Sequence, residues 1–194
     1  RWLVHRNELL ELLNDYHTSV MGETAHVQRA KEFVRQHEDC FHSELLPGHV
    51  TGSAWVVSPN RDKVLMLHHK KQDQWFQPGG HADRDSDIRR VALRETHEET
   101  GIAPEDIKLL SDRVFDVDIH TIPASHHGPR HVHFDIRFLL EIDDSIPVPG
   151  NDESHDILWV PLHQAASYNN NLSTHRMVEK TRRLRNPVQV VKSL

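Results

Sequence analysis

Two rhythms of hydrophobic and polar positions run along this chain, one with the 3.6-residue period of a helix and one with the two-residue period of a strand. Near the start, Leu3, Leu9, Leu10, Leu12, Leu13 and Tyr16 recur at helical spacing and predict a first short helix. A second helix is predicted from Ala25 to His37, with a break near Gly22. The rhythm then changes. Val50 to Val57 is strand-like, Ser58-Pro59-Asn60-Arg61-Asp62 is turn chemistry, and Val64 to Leu67 reads as a buried central strand. Further on, Val114 to His120 and His131 to Leu140 alternate cleanly, with Pro123, Gly128 and Pro129 marking a hairpin loop between them. Ile157 to Val160 predicts another short strand, followed by a short helix into Ser167. A last helix is predicted from Thr174 to Leu184, with Ser173 as its N-cap and Leu172 against Met177 as a hydrophobic staple. Its Lys180, Arg182, Arg183 and Arg185 lie toward the C-terminal end, where the helix dipole favours cations.

The helix predicted from about Asp87 to Thr100 is different in kind. Gly101 supplies the usual stop. At about 100° per residue, Ile88, Val91, Ala92, Glu95, Glu98 and Glu99 fall on a single stripe. An inward-facing stripe that begins apolar and ends in carboxylates is not built for packing alone. Like charges three and four residues apart repel by a few tenths of a kcal/mol, and carboxylates in a last turn face the negative end of the helix dipole. A divalent cation against that turn resolves both conflicts, because Mg²⁺ and Mn²⁺ prefer hard carboxylate oxygens. A solvated acidic face is the plainer alternative; the apolar residues sharing the stripe argue against it.

The segment from Gly80 to Ile102 resembles the Nudix box, G-x5-E-x7-R-E-U-x-E-E-x-G-U, where U is a bulky aliphatic residue. Gly80, Arg94, Glu95, Glu98, Glu99, Gly101 and Ile102 match at the right spacing. Ser86 stands where the first Glu belongs, and Thr96 where an aliphatic is usual. Trp75-Phe76-Gln77-Pro78-Gly79-Gly80 is similar to the family's strand-to-loop entry into the box. The resemblance implies an α/β fold, a Nudix-type α/β/α sandwich around a mixed β-sheet, here with a helical N-terminal extension. It implies that Glu98 and Glu99 bind metal, that Glu95 is a ligand or the general base, and that Arg94 orients it. It further implies a metal contact from the Gly79 carbonyl, and an acidic residue in a downstream loop, which Glu153 matches loosely. Asp85 and Asp87 flank Ser86 and are candidates to supply its missing charge.

Other residues are candidates for the substrate. Lys70 and Lys71, with His68 and His69, form a cationic run that suits a distal phosphate and equally suits a solvated surface. Trp75 could stack on a base or serve the core. In the later strands, His131, His133, Asp135 and Arg137 share one face, as do Asp116, Asp118 and His120. Antiparallel pairing would bring these faces together, either as a wall of the substrate cleft, with His133 and Arg137 binding substrate, or as a hydrated sheet face.

Length and composition narrow the rest. The 194 residues suit residues 1–42 as a helical extension and 43–194 as the Nudix domain with its C-terminal helix. A net charge of −6 argues against general nucleic-acid binding and for a small nucleotide-type substrate. No apolar run approaches the ~20 residues that cross a bilayer. The single Cys40 excludes an intramolecular disulfide, suits a reducing cytoplasm, and reads as a packed thiol. The chain opens at Arg1 rather than Met, which leaves its natural N-terminus open, as a homodimer is left open. The resulting expectation is a Mg²⁺- or Mn²⁺-dependent hydrolase that cleaves a pyrophosphate linkage in a nucleoside diphosphate derivative or related nucleotide. Two alternatives stand beside it: a catalytically weakened Nudix domain that binds nucleotides, and an isopentenyl-diphosphate isomerase-like enzyme, which would need a reactive Cys.

Overall fold

The computed structural model describes residues 2–185, with side chains from His5 onward. The Leu3 side chain and the last stretch of the expected domain, residues 186–194, lie outside the described residues. The chain opens with helices α1 (Trp2–Asp15) and α2 (Glu23–Gln36). Strands β1 (Gly48–Val57), β2 (Lys63–His69), β3 (Gln74–Phe76) and β4 (Gly79–His81) lead into helix α3 (Ile88–Thr100). Then follow β5 (Lys108–Leu109), β6 (Asp116–Ile122), β7 (His131–Glu141), β8 (Ser154–Pro161), α4 (Ala165–Tyr168) and α5 (Leu172–Arg185). The strands form one eight-stranded sheet ordered β3-β2-β1-β7-β5, with β4 beside β1, β6 beside β7 and β8 beside β2. The β1–β7 pair is parallel and the other pairs are antiparallel, so the fold is α/β with a mixed sheet, as expected. No helix among the described residues is long and apolar enough to cross a membrane.

Every residue of β1 is buried, because helices cover both of its faces. On one face α3 packs so closely over Gly52 that a Cβ there would lie 3.0 Å from Val91 Cγ1. On the other face α5 crosses, and the Trp55 indole N–H donates to Thr181 Oγ1 at 2.9 Å. The first two helices do not stand apart. Leu9, Leu13, Val27 and Phe33 belong to the same apolar cluster as Val91 and Phe134. The Phe33 and Phe134 rings stack with centroids 4.1 Å apart.

Beneath α5 the sheet face is ionic. Asp116 and Glu23 are fully buried, and Arg137, Asp135, Arg176, Lys180 and Asp118 gather around them. Arg176 donates to both oxygens of Asp116, at 2.7 and 2.8 Å. Lys180 Nζ donates to Asp116 Oδ1 and to Glu23 Oε2, each at 2.7 Å. Glu23 also accepts the Val117 N–H at 3.1 Å, which satisfies a backbone donor on the open edge of β6.

Three expectations for α5 need correction. The helix begins at Leu172, so Ser173 lies inside its first turn and is not the N-cap. Leu172 is 85% exposed while Met177 is fully buried, so the two form no staple. Lys180 does not serve the helix dipole at the surface, because its amine is directed into the ionic layer.

Burial alone would push the Asp116 carboxyl up, but the Arg176 hydrogen bonds and the charges of Arg137 and Lys180 overcome it and hold Asp116 well below the usual carboxylate range. A depressed carboxylate contributes stability that is complete above its unfolded value of about 4 and is lost as pH falls toward the folded value. Asp116→Asn should therefore destabilise the protein by about 3–5 kcal/mol in neutral denaturant titrations. The gap between variant and wild type should shrink as pH is lowered from about 4, because the wild type loses this contribution there and the variant has none to lose.

Candidate active site

Helix α3 starts and stops where its sequence dictates. Asp87 caps it by accepting the Arg90 N–H at 3.3 Å, and Gly101 ends it with φ 72°, a left-handed conformation that favours glycine. Ile88, Val91 and Ala92 are buried against the sheet, and the stripe continues into the three carboxylates. Thr96 fits its buried position because its hydroxyl donates to the Ala92 carbonyl at 2.7 Å. Glu99 is 6% exposed and accepts the Gly79 N–H at 2.9 Å. Glu95 lies against Gly80, where a Cβ would sit 2.7 Å from Glu95 Cδ. Gly80 thus gives the Glu95 carboxylate room beside the strand, while a Cβ on Gly79 would meet Ser53 of β1.

Arg94 leans over this group. It donates to the His81 carbonyl at 3.0 Å, and its guanidinium lies 3.5 Å from Glu95 and 4.0 Å from Glu98. Among the described residues no cation pairs with Glu99. Burial pushes its carboxyl up to about 8; the Gly79 hydrogen bond opposes the rise, while Glu95, Glu153 and Glu98 add to it. Burial and Glu98 likewise raise Glu95 above the ordinary range. Glu99 is buried, Glu95 half-buried and Glu98 exposed, and three carboxylates crowded on one turn with Arg94 as their neighbouring cation are a donor set that a divalent cation would complete. The residues present therefore fit such an ion, with Glu95, Glu98 and Glu99 as its candidate holders.

The loop before β8 closes on the same turn. Gly150 N–H donates to the Thr100 carbonyl at 2.8 Å, and the Asn151 side-chain amide donates to the Glu98 carbonyl at 3.1 Å. The Glu153 N–H in turn donates to Asn151 Oδ1 at 2.9 Å, which fixes this exposed acid close enough to Glu99 to raise it. Sequence reasoning missed Asn151, and a lone Asn in a loop carries no signal for it. Lys70 joins this neighbourhood through its N–H, which donates to the Glu153 carbonyl at 3.0 Å, and both Lys70 and Lys71 are exposed. Trp75 is half-buried, stacked on His68 with centroids 5.0 Å apart and packed against the α5-side apolar cluster.

The residues around Ser86 do not assemble at the carboxylates. Asp85 is held by Arg90 through two bonds of 2.7 Å, and Asp87 is the helix cap. The Ser86 hydroxyl lies 3.5 Å from His5 Nδ1 of α1. Both aspartates are thus engaged at the start of α3, and Asp85 also lies 3.9 Å from the Arg94 guanidinium.

The expected polar wall is only half there. The β6–β7 pairing sets Asp116 opposite Arg137, Asp118 opposite Asp135 and His120 opposite His133, so the two polar faces do meet. Arg137, however, is 5% exposed, and Asp116, Asp118 and Asp135 surround its guanidinium. It is a buried counter-ion, its Nε and Nη1 donating to Asp135 and Asp116 and its Nη2 lying 3.6 Å from Asp118. His133 lies beyond that layer, half-buried among His49, His81, His120 and His131. Burial and the neighbouring His49 lower His133 to about 3, and burial lowers His49 to about 4, with His81 and His131 adding to it. Cys40 is buried and its thiol is pushed up to about 12 by burial, so it cannot be the reactive Cys that an isomerase needs.

A family model described as the NUDIX domain matches residues 48–181. A probable DHNTP pyrophosphohydrolase from Lactococcus lactis is 31% identical over 94 residues, covering 47% of this chain and 54% of that protein. The chain thus spans about half the length of this curated relative. Among solved structures, an Ap4A hydrolase from C. elegans superposes with a TM-score of 0.57 at 18% identity, covering 70% of this chain and 96% of that one. The E. coli dihydroneopterin triphosphate pyrophosphohydrolase gives a TM-score of 0.55 at 18% identity, covering 68% and 92%. At these identities the structural likeness bears on the fold alone.

Gly80→Ala and Asp87→Ala separate the two roles assigned along α3. The alanine Cβ at position 80 should push the Glu95 carboxylate aside and lower Mg²⁺ affinity roughly tenfold or more in calorimetry. Removing the Asp87 cap should cost about 1 kcal/mol of stability and leave Mg²⁺ affinity unchanged. The reverse pattern would move the ion from Glu95 toward the start of the helix.

Proposed function

The chain belongs to the Nudix family, and we propose that it hydrolyses a pyrophosphate linkage in a nucleoside diphosphate derivative or a related nucleotide. The observation that carries this reading is the carboxylate group of Glu95, Glu98 and Glu99, with Glu99 buried, raised to about 8 and paired with no cation among the described residues. Mg²⁺ or Mn²⁺ held there would neutralise phosphate oxygens and make a water easier to deprotonate. Around it, each residue has its own task. Arg94 restrains Glu95, whose carboxyl is raised by burial and Glu98, and Glu95 suits a metal ligand or general base. Asn151 holds Glu153 against the same turn as a second candidate acid or base. Lys70 and Lys71 sit on the adjoining turn, where exposed cations attract a polyphosphate. Trp75 and His68 offer a stacked pair to a base. The Lactococcus lactis relative is named for pyrophosphohydrolysis, which lies within the proposed class. We assign a cytoplasmic setting on the same footing, from the single Cys40.

Ser86 favours one other reading, a Nudix domain that binds nucleotides and turns them over weakly. Its hydroxyl is directed at α1, and Asp85 and Asp87 are engaged at the start of α3.

A panel of ADP-ribose, dinucleotides, nucleotide sugars, coenzyme A and nucleoside triphosphates, supplied with Mg²⁺ or Mn²⁺, distinguishes the two. Hydrolysis of one class, with kcat/KM falling on the order of 100-fold or more in Glu98→Gln/Glu99→Gln, is the expected result. The metal-free double variant should melt no lower than wild type, because repulsion in the last turn is relieved. Nucleotide binding without turnover would favour the binding module, and Ser86→Glu should then raise turnover at limiting Mg²⁺. Absence of both binding and turnover across the panel would overturn both readings.

A further inference from the structure

Five histidines converge at one end of the polar sheet face, away from the box carboxylates, and the proposed hydrolysis leaves them without a task. Parallel pairing places His49 of β1 directly opposite His133 of β7, and His131 lies two residues along the same face. His120 arrives from β6 opposite His133, and His81 from β4 beside Thr51.

We propose that His49, His131 and His133 bind one late first-row transition ion, Zn²⁺ foremost, at a site separate from the box carboxylates. One nitrogen from each of the three rings lies within 4.8 Å of the others. His131 Nε2 and His133 Nε2 are already 3.2 Å apart. Zinc–nitrogen bonds of about 2.0–2.1 Å in a tetrahedron put neighbouring nitrogens about 3.3–3.4 Å apart, so one edge of the site is nearly preformed.

The histidines are also in the right chemical state. His49 is 1% exposed, and neither of its ring nitrogens has a hydrogen-bond partner. A buried polar group left so is costly and uncommon, and an ion would satisfy it. The Pro129 carbonyl lies 2.9 Å from His131 Nδ1 and accepts its proton, which leaves the Nε2 lone pair facing His133.

The donor set decides which ion. Three imidazoles with no carboxylate suit Zn²⁺, Ni²⁺ or Cu²⁺ and disfavour Mg²⁺, which takes oxygen ligands. The two sites therefore select different metals. Three protein ligands would leave a fourth position of the tetrahedron for water or another donor, and His81, exposed and edge-on to His49 at 4.9 Å, lies beside the cluster.

The test uses the full chain without a purification tag, stripped with chelator, in the Glu98→Gln/Glu99→Gln background so that the box cannot compete. Calorimetry should find one Zn²⁺ equivalent, and Co²⁺ should give the intense visible bands of a tetrahedral site. His131→Ala, a half-exposed position near the start of its strand, should lower Zn²⁺ affinity about 100-fold and remove the Co²⁺ bands. His133→Asn should do the same, and Zn²⁺ should raise the melting temperature of the background protein but of neither His variant. His126→Ala/His127→Ala, in the exposed loop, should bind as the background does. A folded background protein that takes up no Zn²⁺ overturns the proposal, as do His131→Ala and His133→Asn variants that bind as tightly as it does. None of these readouts depends on hydrolysis, so the site stands or falls apart from the proposed activity.

Discussion

A sealed layer of charge holds this protein together. Glu23, Asp116, Asp118 and Asp135 face Arg137, Arg176 and Lys180 across a space from which water is largely excluded. The chain that supplies these residues is scattered, since Glu23 opens α2, the aspartates and Arg137 lie on β6 and β7, and the other two cations come from α5. Each ion would be very costly alone, so each is tolerable only when the others are in place. The layer therefore ties the N-terminal helices and the C-terminal helix to one sheet face in one arrangement. Tyr16 joins the tie, donating to Glu23 at 2.8 Å and accepting from Lys180 at 2.7 Å.

That layer also divides the sheet face along its strands. Toward Trp55 and Leu139 the face is apolar and covered by α5. Past the ionic layer, at His120, His131 and His133, the polar face opens toward solvent. The box carboxylates lie on α3, where Gly80 lets Glu95 approach β4 and the Gly79 N–H meets Glu99. The fold thus presents two chemically distinct donor sets, oxygen and nitrogen, without mixing them.

Local signals were legible in the sequence and long-range ones were not. The cap, stripe and stop of α3 are local, and Asp87, Ile88 and Gly101 all sit as their spacing dictates. Alternation in the later strands correctly set His133 and Arg137 on one face. It could not say what covers that face. The ions that claim Arg137 lie on β6 and β7, and those that share Asp116 with it come from residue 176 or 180, far away in sequence. The same limit explains His49, whose neighbours are set by a parallel pairing across more than eighty residues of chain. At the start of α5 the failure was local: Ser173 reads well as a cap, but the helix begins one residue earlier.

Asp116 and Glu99 show how the two halves of the protein differ in purpose. Both are buried carboxylates, and burial pushes each of them up. At Asp116 three cations reverse that push and the group stays charged, so its burial serves the fold. At Glu99 one backbone N–H is the whole compensation, and the neighbouring Glu95, Glu98 and Glu153 add to the burden. Evolution of a stable core gives no reason to leave such a group unmatched beside further acids, when a single Lys or Arg would match it. The divalent cation proposed for this turn would supply the missing positive charge. A protein that builds a matched ionic layer at one position and leaves an unmatched one at another marks, by that contrast, where its chemistry lies.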